Sequence, residues 1–145
     1  MFKKILLPLD LNEETVCKRA LPVALDMAKN YEAQLHIVAV VPSFGKALVG
    51  GYFGKEFEAK ALERTRQALE ELLDAELPEE GMDVQGHVAH GTIYEEIINA
   101  ADKLACDLIV LSSHRPELKD YLLGPNAARV VRHAKQSVMV VREET

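Results

Sequence analysis

Short, nearly unbroken apolar runs alternate along this chain with longer stretches of helical periodicity, and no other feature limits its folding choices as much. Lys4–Leu9 is the first run, Gln34–Val41 with Pro42 at its end is the second, and Leu108–Leu111 and Val138–Val141 follow. Lys4–Leu9 and Leu108–Leu111 read as buried strands, because a half-exposed strand would show a period of two. Val138–Val141 is the last strand, an apolar edge that something must cover or an interior strand. Asp83–His90 alternates weakly, through Val84, Gly86 and Val88, and reads as an edge or near-edge strand.

Between these runs the apolar residues recur at helical spacing. Asn12 is placed as an N-cap, with Glu13 and Glu14 complementing the helix dipole and Val16, Ala20, Val23, Ala24 and Met27 forming one face. Pro22 inside that helix predicts a lost backbone bond or a mild kink. Ser43–Lys55 holds Gly45, Gly50, Gly51 and Gly54 without a period and reads as a loop, either a plain connection or a lid over the strand ends. Glu56–Leu77 is an amphipathic helix. After a turn at Gly91, Thr92 and Glu95 have the spacing of a capping box for a helix running to about Ala105, and Asn126–Ala134 is the last helix. The order βαβαβαβαβ predicts an α/β fold: one domain over residues 1–145, a five-stranded parallel Rossmann-like sheet with helices on both faces.

Charge narrows the function classes. The chain has 145 residues and a formal net charge of −6, the wrong sign for a protein whose main partner is a nucleic-acid backbone. A small anion remains compatible, because clustered backbone N–H groups bind it irrespective of net charge. The apolar run after Lys3 and Lys4 stops at Pro8 and Asp10, too short for a secretion signal. No stretch approaches the roughly twenty apolar residues of a membrane span, and the expected location is cytoplasmic. Cys17 and Cys106 are far apart and read as small hydrophobes in a reducing compartment. His87 and His90, three apart on a strand, point to opposite faces, and neither His36 nor His133 has a partner at metal-ligand spacing, so no metal site is expected. Ser112 or Ser113 beside His114 lacks the strained elbow of a nucleophile, and no dedicated catalytic set is visible.

In a sheet of this kind ligands bind beyond the carboxyl ends of the strands, where the strand order reverses. Pro8, Leu9 and Asp10 end the first strand, Val40, Val41 and Pro42 the second, and Leu111, Ser112, Ser113 and His114 the fourth. Asp10 suits either ribose hydroxyls or the cap of the following helix.

The segment from Leu108 to Arg142, with Ser113-His114-Arg115-Pro116, Leu122-Leu123-Gly124 and Asn126-Ala127, resembles the C-terminal signature of the universal stress protein family. Ile5-Leu6-Leu7-Pro8-Leu9-Asp10, Gly91-Thr92 and Cys106-Asp107-Leu108-Ile109-Val110 extend that resemblance over essentially the whole chain. The family's ATP-binding branch carries Gly-x2-Gly-x9-Gly-Ser/Thr. Here Ser112 and Arg115 stand where the first two glycines are usual, one residue is missing before Leu118, Gly124 is kept, and Pro125 replaces Ser/Thr. The Ser-His-Arg-Pro turn is similar to that of the F-type and G-type branch. That resemblance implies an adenine nucleotide, ATP or AMP, with Mg2+ only alongside ATP, held by Pro8, Leu9, Asp10, Val40, Leu111, Ser112, His114, Arg115, Gly124, Pro125 and Asn126. It also implies a homodimer through Val138, Met139, Val140 and Val141, and a stress-signalling module rather than an enzyme. The altered glycines keep two alternatives open: a nucleotide-independent stress-response scaffold, and a slow ATPase or autophosphorylating protein.

Overall fold

The computed structural model describes residues 1–11, 17–42, 52–77, 81–113 and 125–142. The expected cap at Asn12, most of the 43–55 loop, and His114, Arg115 and Gly124 lie outside them. The elements are β1 (Lys4–Leu9), α1 (Cys17–Tyr31), β2 (Gln34–Pro42), α2 (Tyr52–Glu76), β3 (Val84–Gly91), α3 (Ile93–Lys103), β4 (Leu108–Ser113), α4 (Pro125–His133) and β5 (Ser137–Arg142). The five strands form one sheet in the order β3-β2-β1-β4-β5, every neighbouring pair parallel. The expected fold class is the one observed.

The sheet is covered on both sides, and the strand residues divide by parity. Ile5, Leu7 and Leu9 of β1 and Leu35 and Ile37 of β2 pack under Ala20, Leu21, Ala24 and Ala28 of α1 and Leu69 of α2. Leu6, Val38, Ile109 and Leu111 face the other way, onto Ile97 and Ala101 of α3 and Val130 of α4. Ile5, Leu6 and Leu7 are all 0% exposed, as a strand central to a two-sided sheet requires. Each such side chain contributes about 1.5–3 kcal/mol by leaving water. The start of β1 is pinned by Asp107, whose carboxylate accepts from the backbone N–H of Lys3 at 2.9 Å and of Lys4 at 3.1 Å.

Several local expectations are corrected. Tyr52–Lys55 belongs to α2, so the helix begins four residues before the expected Glu56 and the connection before it is shorter. Pro22 lies inside α1 as expected. The capping box at α3 is not formed: Thr92 is the N-cap but makes no side-chain cap hydrogen bond, and the first turn is closed by backbone, Glu96 N–H to Thr92 O at 2.9 Å. Glu95, the other half of the expected box, instead accepts from the Tyr94 hydroxyl at 3.2 Å. Gly91 has φ +149°, and a Cβ there would lie 2.7 Å from Glu96 Oε1, so the Glu96 side chain occupies the space beside the strand end that only glycine leaves open. Helix α3 also stops before the expected Ala105, which adopts φ +55° immediately after the helix while Cys106 N–H returns to Ala101 O at 2.9 Å. Cys106 is buried as read, and burial pushes its thiol up to about 11.

Candidate functional site

The strand order turns back between β1 and β4: β2 and β3 extend the sheet on one side of β1, β4 and β5 on the other. Crossover helices therefore leave β1 and β4 in opposite directions, and a crevice opens at their carboxyl ends. A cavity of about 210 Å³ occupies this position, lined by Pro8, Leu9, Asp10, Val40, Pro42, Ile93, Ile97, Leu111, Ser112, Asn126 and Ala127. Of the eleven residues put forward from the sequence, Pro8, Leu9, Asp10, Val40, Leu111, Ser112 and Asn126 line it. Pro125 is the first residue of α4, adjacent to the lining and exposed. Its missing N–H is one that a first helical turn leaves unpaired in any case.

The register explains how distant segments meet. Leu9 lies beside Ala39 of β2, which brings the ends of the first two strands level, and Ile5 lies beside Leu108 on the other flank. Helix α4 is short, and Val130 is its one buried residue. Asn126 stands one turn before Val130 on the same helix face, so the buried contact that holds the helix also aims Asn126 at the crevice. Pro42, named from the sequence as the end of the second strand, also lines the cavity, whereas the walls contributed by Ile93, Ile97 and Ala127 were missed as site residues. Ile93 and Ile97, spaced by four on α3, looked like ordinary core residues, and only the packing of α3 across β2 separates them from such residues.

The crevice is therefore mostly apolar, with three convergent polar side chains: Asp10, Ser112 and Asn126. Such a composition fits a flat ring against the walls and a few oriented hydrogen bonds at the mouth. A larger hollow, about 540 Å³, lies at the opposite end of the sheet among Lys3, Lys4, Lys29, Glu32, Gln34 and Asp83. It sits at the amino ends of the strands, where the crossover geometry builds no crevice, and its charges are of mixed sign. Among the described residues, no three His, Cys, Asp or Glu side chains converge as a metal cluster would require, and no helix is long and apolar enough to cross a membrane.

The expected strand β5 runs along the sheet margin and pairs only with β4 in the sheet order. Val138 and Val140 are partly buried under α3 and α4. Val141 is buried against the α1 side, whereas Met139 is 37% exposed.

The histidines are the main surprise. His36 is only 3% exposed, and its Nδ1 lies 2.9 Å from Nε2 of His87 on the adjacent strand. Spacing along the sequence could not reveal this, since the two are brought together by the β2–β3 register, in which Val38 stands beside His87. His90 points to the opposite face, as expected, toward Glu58 of α2 at 3.7 Å.

Fold and cavity define a doubly wound α/β protein with an apolar-walled crevice at its topological switch point. The universal stress protein family matches residues 1–142, and the chain belongs to that family. Universal stress protein G of Shigella flexneri is 29% identical over 147 residues, spanning 98% of this chain and all of that protein. Among solved structures, MJ0577 of Methanocaldococcus jannaschii superposes with a TM-score of 0.76 at 25% identity, covering all of this chain and 99% of that one. A universal stress protein solved in complex with cAMP shares the fold with a TM-score of 0.60 at 16% identity, over 99% and 98% of the two chains.

Proposed function

We propose that this protein is a non-enzymatic stress-signalling module that holds an adenine nucleotide in the β1–β4 crevice. The observation that carries the proposal is the convergence of Asp10, Ser112 and Asn126 on one apolar-walled cavity at the switch point. The cAMP complex of a protein of the same fold supports the ligand class. At about 210 Å³ the cavity is smaller than the ~300 Å³ lower bound of common ligand sites, so it takes one ring of the nucleotide, with the remainder across the rim. In this reading Asp10 accepts from ribose hydroxyls, and Asn126 donates to phosphate at the amino end of α4, where the helix dipole favours an anion. Through the family resemblance, Arg115 is assigned to the phosphates and His114 and Gly124 to the nucleotide. Mg2+ accompanies ATP and is not required for AMP.

Homodimerisation through β5 belongs to the same proposal. Its support is the outer edge of that strand, which pairs with no further strand among the described residues, and the exposed Met139, an edge that needs a cover to avoid uncontrolled pairing. Sedimentation of the wild type and of Met139→Asp tests it: a dimer that becomes a monomer is expected, and a monomeric wild type would reject it.

A second reading, a scaffold that needs no nucleotide, is favoured by Pro125, which removes an N–H from the amino end of α4. Equilibrium titration with ATP, ADP and AMP separates the two. Saturable binding weakened by Asn126→Ala supports the nucleotide site; no affinity tighter than about 1 mM for any of them supports the scaffold.

A further inference from the structure

A chain of four side chains crosses from the surface into the buried sheet. Gln34 Nε2 lies 2.6 Å from Asp83 Oδ2, Gln34 Oε1 lies 2.8 Å from His36 Nε2, and His36 Nδ1 lies 2.9 Å from His87 Nε2. The two imidazole rings are 5.1 Å apart and inclined at 32°. The proton positions follow from the end of the chain. An ionised Asp83 only accepts, so the Gln34 amide donates to it and turns its carbonyl oxygen toward His36. That oxygen only accepts, so His36 Nε2 carries a proton. His36 Nδ1 is then the bare nitrogen, and His87 Nε2 must donate to it. Every donor points toward Asp83.

This polarity limits how many protons the pair can hold. One extra proton, taken from water at His87 Nδ1, leaves all three bonds in place. A second would have to go on His36 Nδ1 and would set two N–H groups head to head across 2.9 Å. The surroundings oppose charge as well. Burial and the neighbouring His87 and Lys4 of β1 lower the pKa of His36, with Asp83 acting in the opposite sense, and burial lowers that of His87. Helix α3, which packs over β2 and β3, turns only apolar residues inward here: Ile97, Ala100, Ala101 and Leu104. Its charged Glu95, Asp102 and Lys103 are exposed, and Glu96 sits beside Gly91. His90 and Glu58 meet on the far face of the sheet. No carboxylate other than Asp83 therefore compensates an imidazolium at this position among the described residues. The strand that carries His87 is the one free to yield, because β3 lies at the sheet margin and, among the described residues, pairs only with β2.

We propose that the Asp83–Gln34–His36–His87 chain is an acid-sensitive latch: neutral imidazoles hold the edge strand β3 against β2, and protonation of both releases it. The latch is independent of the nucleotide reading and is tested without ligand.

Amide hydrogen exchange at pH 7.5 and 5.0, corrected for intrinsic rates, reads the strand directly. Protection across Val84–Gly91 should fall about tenfold or more relative to that across Leu108–Leu111, a tenfold change corresponding to about 1.4 kcal/mol. His87→Gln cannot titrate, donates an N–H to neutral His36 and can turn its amide to accept from a protonated His36 Nδ1, and should remove most of that difference. Nitrogen chemical shifts of the wild-type histidines at pH 7.5 should show His36 and His87 both protonated at Nε2. Protection that falls equally in both strands, a wild-type response in His87→Gln, or a His36 protonated at Nδ1 would each overturn the latch. The shift and wild-type exchange measurements stand even if the variant fails to fold.

Discussion

Val130→Ala tests whether the crevice is held together in the way the packing implies. Val130 is 0% exposed and is the one buried side chain of α4, whereas its neighbour Val131 is 44% exposed. Truncation removes two buried methyl groups, worth about 0.8 kcal/mol each by transfer alone. The gap left against Ile97, Ala101 and Ile109 adds a cavity cost at ~24 cal/mol per Å3, bringing the expected loss to about 2 kcal/mol. In a domain of this length that lowers Tm by about 4–8 °C. Urea unfolding at pH 7.5 should show a lower midpoint with an unchanged slope, because the surface exposed on unfolding hardly changes. Val131→Ala, made in parallel, should move stability by less than ~0.5 kcal/mol. Exchange of the α4 amides should quicken in the first variant and not in the second. If Val130→Ala costs no more than Val131→Ala, α4 is not fixed through this contact, and the placement of Asn126 in the crevice loses its physical cause.

Asp107→Ala removes two charge-assisted bonds to the amino end of β1; an expected loss of about 1.5–3 kcal/mol is read by urea unfolding, with Asp107→Asn retaining part of it. Ala105→Gly should stabilise by about 0.5–1 kcal/mol, since Ala105 holds φ +55° after α3 and glycine adopts that conformation without a Cβ penalty; a lower Tm in that variant would contradict the assignment. Stability of the whole protein should be greatest above pH ~6.5 and fall as the pH drops through that value. The sign follows from His36 and His87, both lowered in the fold: the unfolded chain binds protons first, so acid favours it, and the loss levels off once the folded histidines also titrate. Replacing both histidines by glutamine should flatten that part of the stability–pH curve.

The architecture was legible because burial on two faces leaves a direct trace in the sequence. Ile5-Leu6-Leu7 and Leu108–Leu111, without polar alternation, lie at or beside the middle of the sheet. The equally apolar Val138–Val141 runs along its margin with Met139 exposed, so an unbroken apolar run does not by itself tell a central strand from an edge. The weak alternation around Val84 and Val88 marked an edge. Sequence failed where a choice depended on a neighbour across space. Thr92 and Glu95 have the spacing of a capping box, yet Thr92 makes no side-chain cap bond and Glu95 accepts from its neighbour Tyr94 instead. Ile93 and Ile97 have the pattern of any buried helix face, and their second role in the crevice wall appears only once α3 is laid across β2. His36 and His87 are 51 positions apart, and no linear motif couples them.

The last two of these, the Ile93–Ile97 wall and the histidine pair, meet in one structural relationship. Strand β3 runs through His87 to Gly91, and the chain passes through the single residue Thr92 into α3, whose Ile93 and Ile97 form a wall of the crevice. The wall is thus suspended from the strand that the histidine pair fastens. The opposite wall, Pro8 and Leu9 of β1 with Leu111 of β4, belongs to the buried centre of the sheet and has no comparable freedom. A crevice built with one rigid and one suspended wall changes shape chiefly through the suspended one. Ligand-dependent protection should therefore concentrate at the β3–α3 junction rather than in β1 or β4. An exchange experiment with and without AMP at pH 7.5 distinguishes these outcomes: protection gained at residues 89–97 agrees with a movable wall, and protection gained only at residues 5–9 and 108–112 would show that the junction is as fixed as the sheet centre.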